Sequence, residues 1–114
     1  MSKVNIKSIL ENASSNERNE YNTLGIKNKN KINYKEDNIN VSIDLDNIKI
    51  IRKDDIKEIV LEFKEKENTC CTYKVYNNVY KLNIFTNKIE INDNYIEIDY
   101  IIEDDKINFK LYIK

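Results

Sequence analysis

From residue 31 to residue 114 the chain alternates apolar and polar positions with a period of two, segment after segment. INVSIDL sets Ile39, Val41, Ile43 and Leu45 on one face and Asn40, Ser42 and Asp44 on the other. NIKIIRK repeats the pattern with Ile48 and Ile50, EIVLEF with Ile59, Leu61 and Phe63, and NVYKLNIFT with Tyr80, Leu82 and Ile84. YIEIDYII contributes Ile96, Ile98, Tyr100 and Ile102, and KINFKLYIK contributes Ile107, Phe109, Leu111 and Ile113. Successive side chains of a strand point to opposite faces, so this spacing predicts half-buried antiparallel strands with one wet face. β-Branched and aromatic residues fill the apolar phase, as strands favour.

The interruptions are short and polar: KEDN, LDN, KDD, KEKEN, NN, NDN and EDD. Gly occurs once, so Asn and Asp, which tolerate left-handed backbone, are expected to make the turns. None of these gaps is long enough for a parallel crossover, which makes consecutive strands up-and-down neighbours. A meander of about eight or more strands with one apolar face buries that face by curling on itself. The expected fold is all-β, an antiparallel up-and-down meander closed into a small barrel.

The first thirty residues are less regular. KVNIKSIL reads as a strand with Val4 and Ile6 in phase. SILENASSNERNEY offers a helix start through a Ser8/Glu11 capping box, but its Asn/Ser cluster favours a loop.

A chain of 114 residues is expected to form a single domain, residues 1–114, burying roughly two thirds of its unfolded surface without metal or disulfide staples. Lys+Arg 19 against Asp+Glu 20 leaves a net charge of -1, which gives no global attraction for nucleic acid or an anionic membrane. No apolar run is long enough for a bilayer span or a secretory signal, so a cytoplasmic, reducing location is expected. Abundant Asn, Ile, Lys and Tyr share AT-rich codons, and the Asn content is interleaved with the apolar pattern rather than forming a low-complexity tract. The chain has no histidine. That excludes Ser-His-Asp and Cys-His catalysis and His-based zinc sites.

Several fixed points in chain order resemble the DUF1934, or YwiB-like, family of bacterial proteins. Gly25 follows the second strand, and INYKED, through Tyr34 and Glu36, is similar to a Tyr-x-Glu segment of that family. Arg52 in IIRK, Phe63 at a strand end, Thr69 and Tyr73 in TCCTYKVYNN, and Thr86 closing NIFT agree in placement. Asp54, Asp55 and Asn78 stand where the family tends to carry Gly, and the chain is shorter near GIKNKNKIN. The resemblance implies a calycin-like, lipocalin-like barrel in a cytoplasmic setting, and no activity.

Extending each strand's phase inward gathers the candidate site. Tyr34 and Glu36 share the face of Ile32, Arg52 that of Ile50, Tyr73 that of Cys71, and Thr86 that of Ile84. A buried charge needs a partner, so a Glu36–Arg52 ion pair is expected. It serves either as a structural pair closing one barrel end or as a polar anchor for a carboxylate or phosphate ligand. The adjacent Cys70 and Cys71 point to opposite faces of a strand and cannot share one metal: Cys71 is expected inside and Cys70 outside. Lys27, Lys29 and Lys31 would form a basic stripe along one strand, read as a solvated or edge-protecting face in the absence of interleaved aromatics. The acidic turns lack the spacing of a calcium loop. Neither cofactor nor metal is expected, and no catalytic residue is assigned.

These readings favour a non-enzymatic binding domain, monomeric or weakly dimeric, with no nucleic-acid or membrane partner. Its partner is either a small amphipathic or anionic ligand at the barrel mouth, touching Arg52, Glu36, Tyr34, Tyr73 and Thr86, or another protein. An open cavity would favour the ligand, a filled core the protein.

Overall fold

The computed structural model describes residues 2–114; Met1, the first residue of the expected domain, lies outside them. In chain order the strands are β1 (Ser2–Asn12), β2 (Glu17–Asn28), β3 (Lys31–Glu36), β4 (Ile39–Asp44), β5 (Lys49–Lys53), β6 (Lys57–Glu62), β7 (Asn68–Val75), β8 (Asn78–Asn92), β9 (Tyr95–Ile102) and β10 (Asp105–Ile113). Each pairs antiparallel with the next, and β10 pairs back onto β1, so the up-and-down meander closes into a barrel. No helix among the described residues is long and apolar enough to cross a membrane.

The N-terminal region corrects the reading of the sequence. Ser8 does not cap a helix; it lies inside β1, whose backbone is paired on both sides, with β2 and with β10. Two ladders outweigh a short, marginal helix. The expected loop shrinks to residues 13–16, where Asn12 Oδ1 accepts hydrogen bonds from the Ser14 and Ser15 amides at 3.0 and 3.2 Å. Gly25 sits within β2 rather than after it. The Lys27–Lys29–Lys31 stripe does not form: Lys27 lies one residue before the end of β2, Lys29 turns at a φ of 57°, and Lys31 starts β3.

Turn chemistry also differs in detail. Positive φ occurs at Asn16, Lys29, Asp37, Ile48, Lys66, Tyr76 and Glu103, so Asn or Asp takes only two of these positions. Elsewhere the acidic residues act from beside the bend, as when Asp54 Oδ1 accepts from the Ile56 and Lys57 amides at 2.8 and 2.9 Å.

Inside, Ile32, Val41, Ile43, Ile84, Ile96, Ile98 and Leu111 are fully buried. Each such side chain contributes about 1.5–3 kcal/mol of burial. Phe63, just past β6, plugs the lumen with its ring edge-on to Tyr100 at 4.8 Å. The β6–β7 connection is tied to β8, with Lys66 N donating to Thr86 O at 2.7 Å and Thr86 N donating to Glu67 O. Large side chains and this plug fill the barrel. Tyr80 keeps its inward phase yet is 54% exposed, because β9 begins to pair with β8 only at Ile84 and the β7–β8 hairpin runs past the rim.

Closure is incomplete at one place. β2 pairs with β3 only over Gly25–Asn28, the last rung being Gly25 opposite Tyr34. From Leu24 back to Glu17, β2 has β1 as its strand partner, and among the described residues no strand pairs with its other edge. Gly25 sits where the two strands part. A Cβ there would clash with Ile6 Cδ1 and lie 2.9 Å from the Asn33 carbonyl oxygen, so only glycine allows this close approach.

Candidate functional site

The inward phase brings Glu36, Tyr34 and Arg52 together, as the alternation requires. Glu36 is 2% exposed and carries a charge-bearing group into the interior. Its Oε1 accepts from Arg52 Nη2 at 2.5 Å, and its Oε2 accepts from the Ser8 hydroxyl at 2.9 Å and the Tyr34 hydroxyl at 3.2 Å. The expected Glu36–Arg52 pair is therefore present, and both carboxylate oxygens are satisfied. Such saturation is what keeps a desolvated carboxylate tolerable. Burial, with the negative charge of Glu36 added, pushes the Tyr34 phenol well above its usual range.

Tyr73 and Thr86 do not join this network. Tyr73 lies in the same cross-strand row, which runs Tyr34, Val41, Arg52, Ile59, Tyr73, Tyr80 through successive registers. β6 separates it from Arg52, and its ring lies 6.3 Å from that of Tyr80. Thr86 is fully buried opposite Tyr100, and its hydroxyl has no hydrogen-bond partner among the described residues. Ser8 was missed. Its signal was a polar residue on the inward phase of Val4, Ile6 and Leu10. Tyr100, buried edge-on to Phe63, has its phenol raised by burial while the Arg52 charge pulls the other way.

The cysteines divide as their strand requires. Cys71 is buried and Cys70 exposed, both free. Burial and the neighbouring Cys70 push the Cys71 thiol up to about 11, which removes its thiolate at neutral pH.

A concave feature lies outside the barrel. A groove of about 670 Å³ follows the β2–β3 fork and spreads over β4, lined by Leu24, Ile26, Lys3, Lys35, Asn40 and Ser42 among others. Leu24 is 67% and Ile26 40% exposed, although both are large apolar side chains. They escape burial because they occupy the outward phase of β2, opposite Gly25. Sequence reading did not find this groove, since the registers that expose it are set by long-range pairing.

The family model described as "Domain of unknown function (DUF1934)" matches residues 4–112. Among solved structures, the ywiB protein from Bacillus subtilis is similar to this chain with a TM-score of 0.60 and 18% sequence identity. That match covers 98% of this chain and 89% of the other. At this identity the likeness concerns the fold. No curated protein matches the chain.

Proposed function

The chain belongs to the DUF1934 family, and from that premise we propose that it is a non-catalytic binding module that engages a protein on the outside of its barrel, at the β2–β3 fork. The observation that carries this reading is the pairing of a filled lumen with an apolar groove beside an unpaired strand edge. An edge of this kind accepts a further strand through main-chain hydrogen bonds, and exposed apolar residues beside it supply pockets for side chains. The non-catalytic part rests on the absence of histidine, on a thiol held protonated, and on a carboxylate already saturated by Arg52, Ser8 and Tyr34. Two free cysteines suit a cytoplasmic, reducing setting.

A second reading places a small amphipathic anion at the mouth, on Tyr73 and Tyr80 with its charge toward Arg52. What favours it is that the Arg52 side chain stays 20% exposed. Native mass spectrometry of protein purified from its own host separates the two. The first reading expects the bare chain or a protein complex; a retained small molecule that is lost in Arg52→Lys would replace it with the second.

A further inference from the structure

We infer that the partner at the fork is an acidic, extended peptide segment, laid along the free edge of β2 with alternate apolar side chains against Leu24 and Ile26. This deepens the docking reading above and rests on it. Three features of the same place converge on that occupant. The backbone of Glu17–Leu24 is extended and paired on one side only, so what fits beside it is another extended chain rather than a helix. Apolar exposure there is concentrated at Leu24, the last residue of the free edge, and at Ile26 on the same outer face just inside the fork, so the end of an added strand meets both.

Charge decides the rest. The groove is flanked by Lys3 and Lys35, and no carboxylate lines it. A second hollow of about 390 Å³ adjoins it across Leu24 and adds Lys7 and Lys114, again with no acidic side chain in its lining; Lys7 is partly engaged by Glu20 at 3.8 Å. In a chain of net charge -1 the Leu24–Ile26 end of the fork is thus locally positive, while Glu17, Arg18 and Glu20 lie farther back along the same edge. Lysines at the rim of an apolar groove attract a partner carrying carboxylates and repel a basic one. The occupant is therefore acidic where its side chains meet Lys3 and Lys35, and β-branched or aromatic where they meet Leu24 and Ile26.

The test is selection from a phage-displayed library of random peptides, roughly eight residues long to match a strand. The whole chain is the bait. Enriched sequences should alternate acidic with apolar residues, and the best synthetic peptide should lose affinity as salt rises. Leu24→Asp, at an exposed position, and the double variant Lys3→Glu/Lys35→Glu should each weaken it by about tenfold or more. Enrichment of neutral or basic peptides that still depend on Leu24 would overturn the acidic assignment and leave the docking site standing. Absence of enrichment, or enrichment indifferent to Leu24→Asp, would overturn the docking site as well. Vesicles of phosphatidylglycerol that bind and are lost in the lysine variant, with no peptide enriched, would replace the peptide by an anionic surface.

Discussion

Ser8 on β1 donates a hydrogen bond to Glu36 on β3, although β2 lies between those strands in the sheet. The contact runs through the interior, two residues beyond the last β2–β3 rung, where β3 has lost its β2 neighbour. It ties the barrel together behind the fork. The buried carboxylate thus holds β1, β3 and β5 in place at the level where the sheet itself has opened.

Removing one member of that cluster strands the others. Arg52→Met leaves Glu36 buried without a countercharge and should cost about 3 kcal/mol of stability. The double variant Glu36→Gln/Arg52→Met, with no buried charge left, should be less destabilised than Arg52→Met alone. Urea unfolding midpoints of the single and double variants measure this; additive losses would mean that the pair is not coupled.

Gly25→Ala forces a Cβ against Ile6 Cδ1 and the Asn33 carbonyl. The backbone oxygen cannot swing away as a side chain would, so the variant should lose about 1–3 kcal/mol, read as a lower unfolding midpoint. A midpoint unchanged from the parent would show that β2 and β3 are not held this close.

Much of this architecture is legible in the sequence, and the limits have physical causes. Strict alternation makes the inward phase readable, so Tyr34, Glu36 and Arg52 fall together and Cys70 and Cys71 fall apart. Phase says nothing about how far along a barrel a residue sits. Tyr73 and Tyr80 share the inward phase but reach the rim, and Thr86 shares it without meeting the carboxylate. In β1 and β2, polar stretches such as ENASSNERNEY hide strands whose stability comes from pairing rather than from their own apolar pattern. Turns were located from Asn and Asp, yet Ile48 and Tyr76 adopt left-handed backbone because the strand registers on either side demand it.

Tyr76 offers a gain. It is 75% exposed and holds a φ of 54° in the β7–β8 turn, a conformation glycine adopts without a Cβ penalty. Tyr76→Gly should raise stability by roughly 0.5–1 kcal/mol, net of the freedom glycine adds to the unfolded chain. Thermal unfolding reads the change, and a loss of stability would mean that the Tyr76 ring packs usefully where it stands.

Stability should fall at both ends of the pH range. Asn108 and Tyr95 hydrogen bonds, outweighing its desolvation, hold the Glu97 carboxyl below the ordinary value of 4.5. Its contribution is present above that value and is lost as pH falls through the lower folded one. At the alkaline end the unfolded Cys71 thiol ionises near 9.0 and the folded one at about 11, so stability declines as pH rises through that window. Glu97→Gln should flatten the acid limb and Cys71→Ala part of the alkaline limb in pH-dependent urea titrations. Limbs that keep their slopes would assign the losses to other groups.

Amide hydrogen exchange, read residue by residue on the chain alone and with the tightest peptide from the library, bears most directly on where this barrel binds. Docking at the fork predicts new protection within Glu17–Leu24 as the free edge of β2 gains a neighbour, with exchange around Arg52 and Tyr73 unchanged. Protection gained around Arg52 and Tyr73, with Glu17–Leu24 exchanging as before, would contradict it and move the site to the barrel mouth.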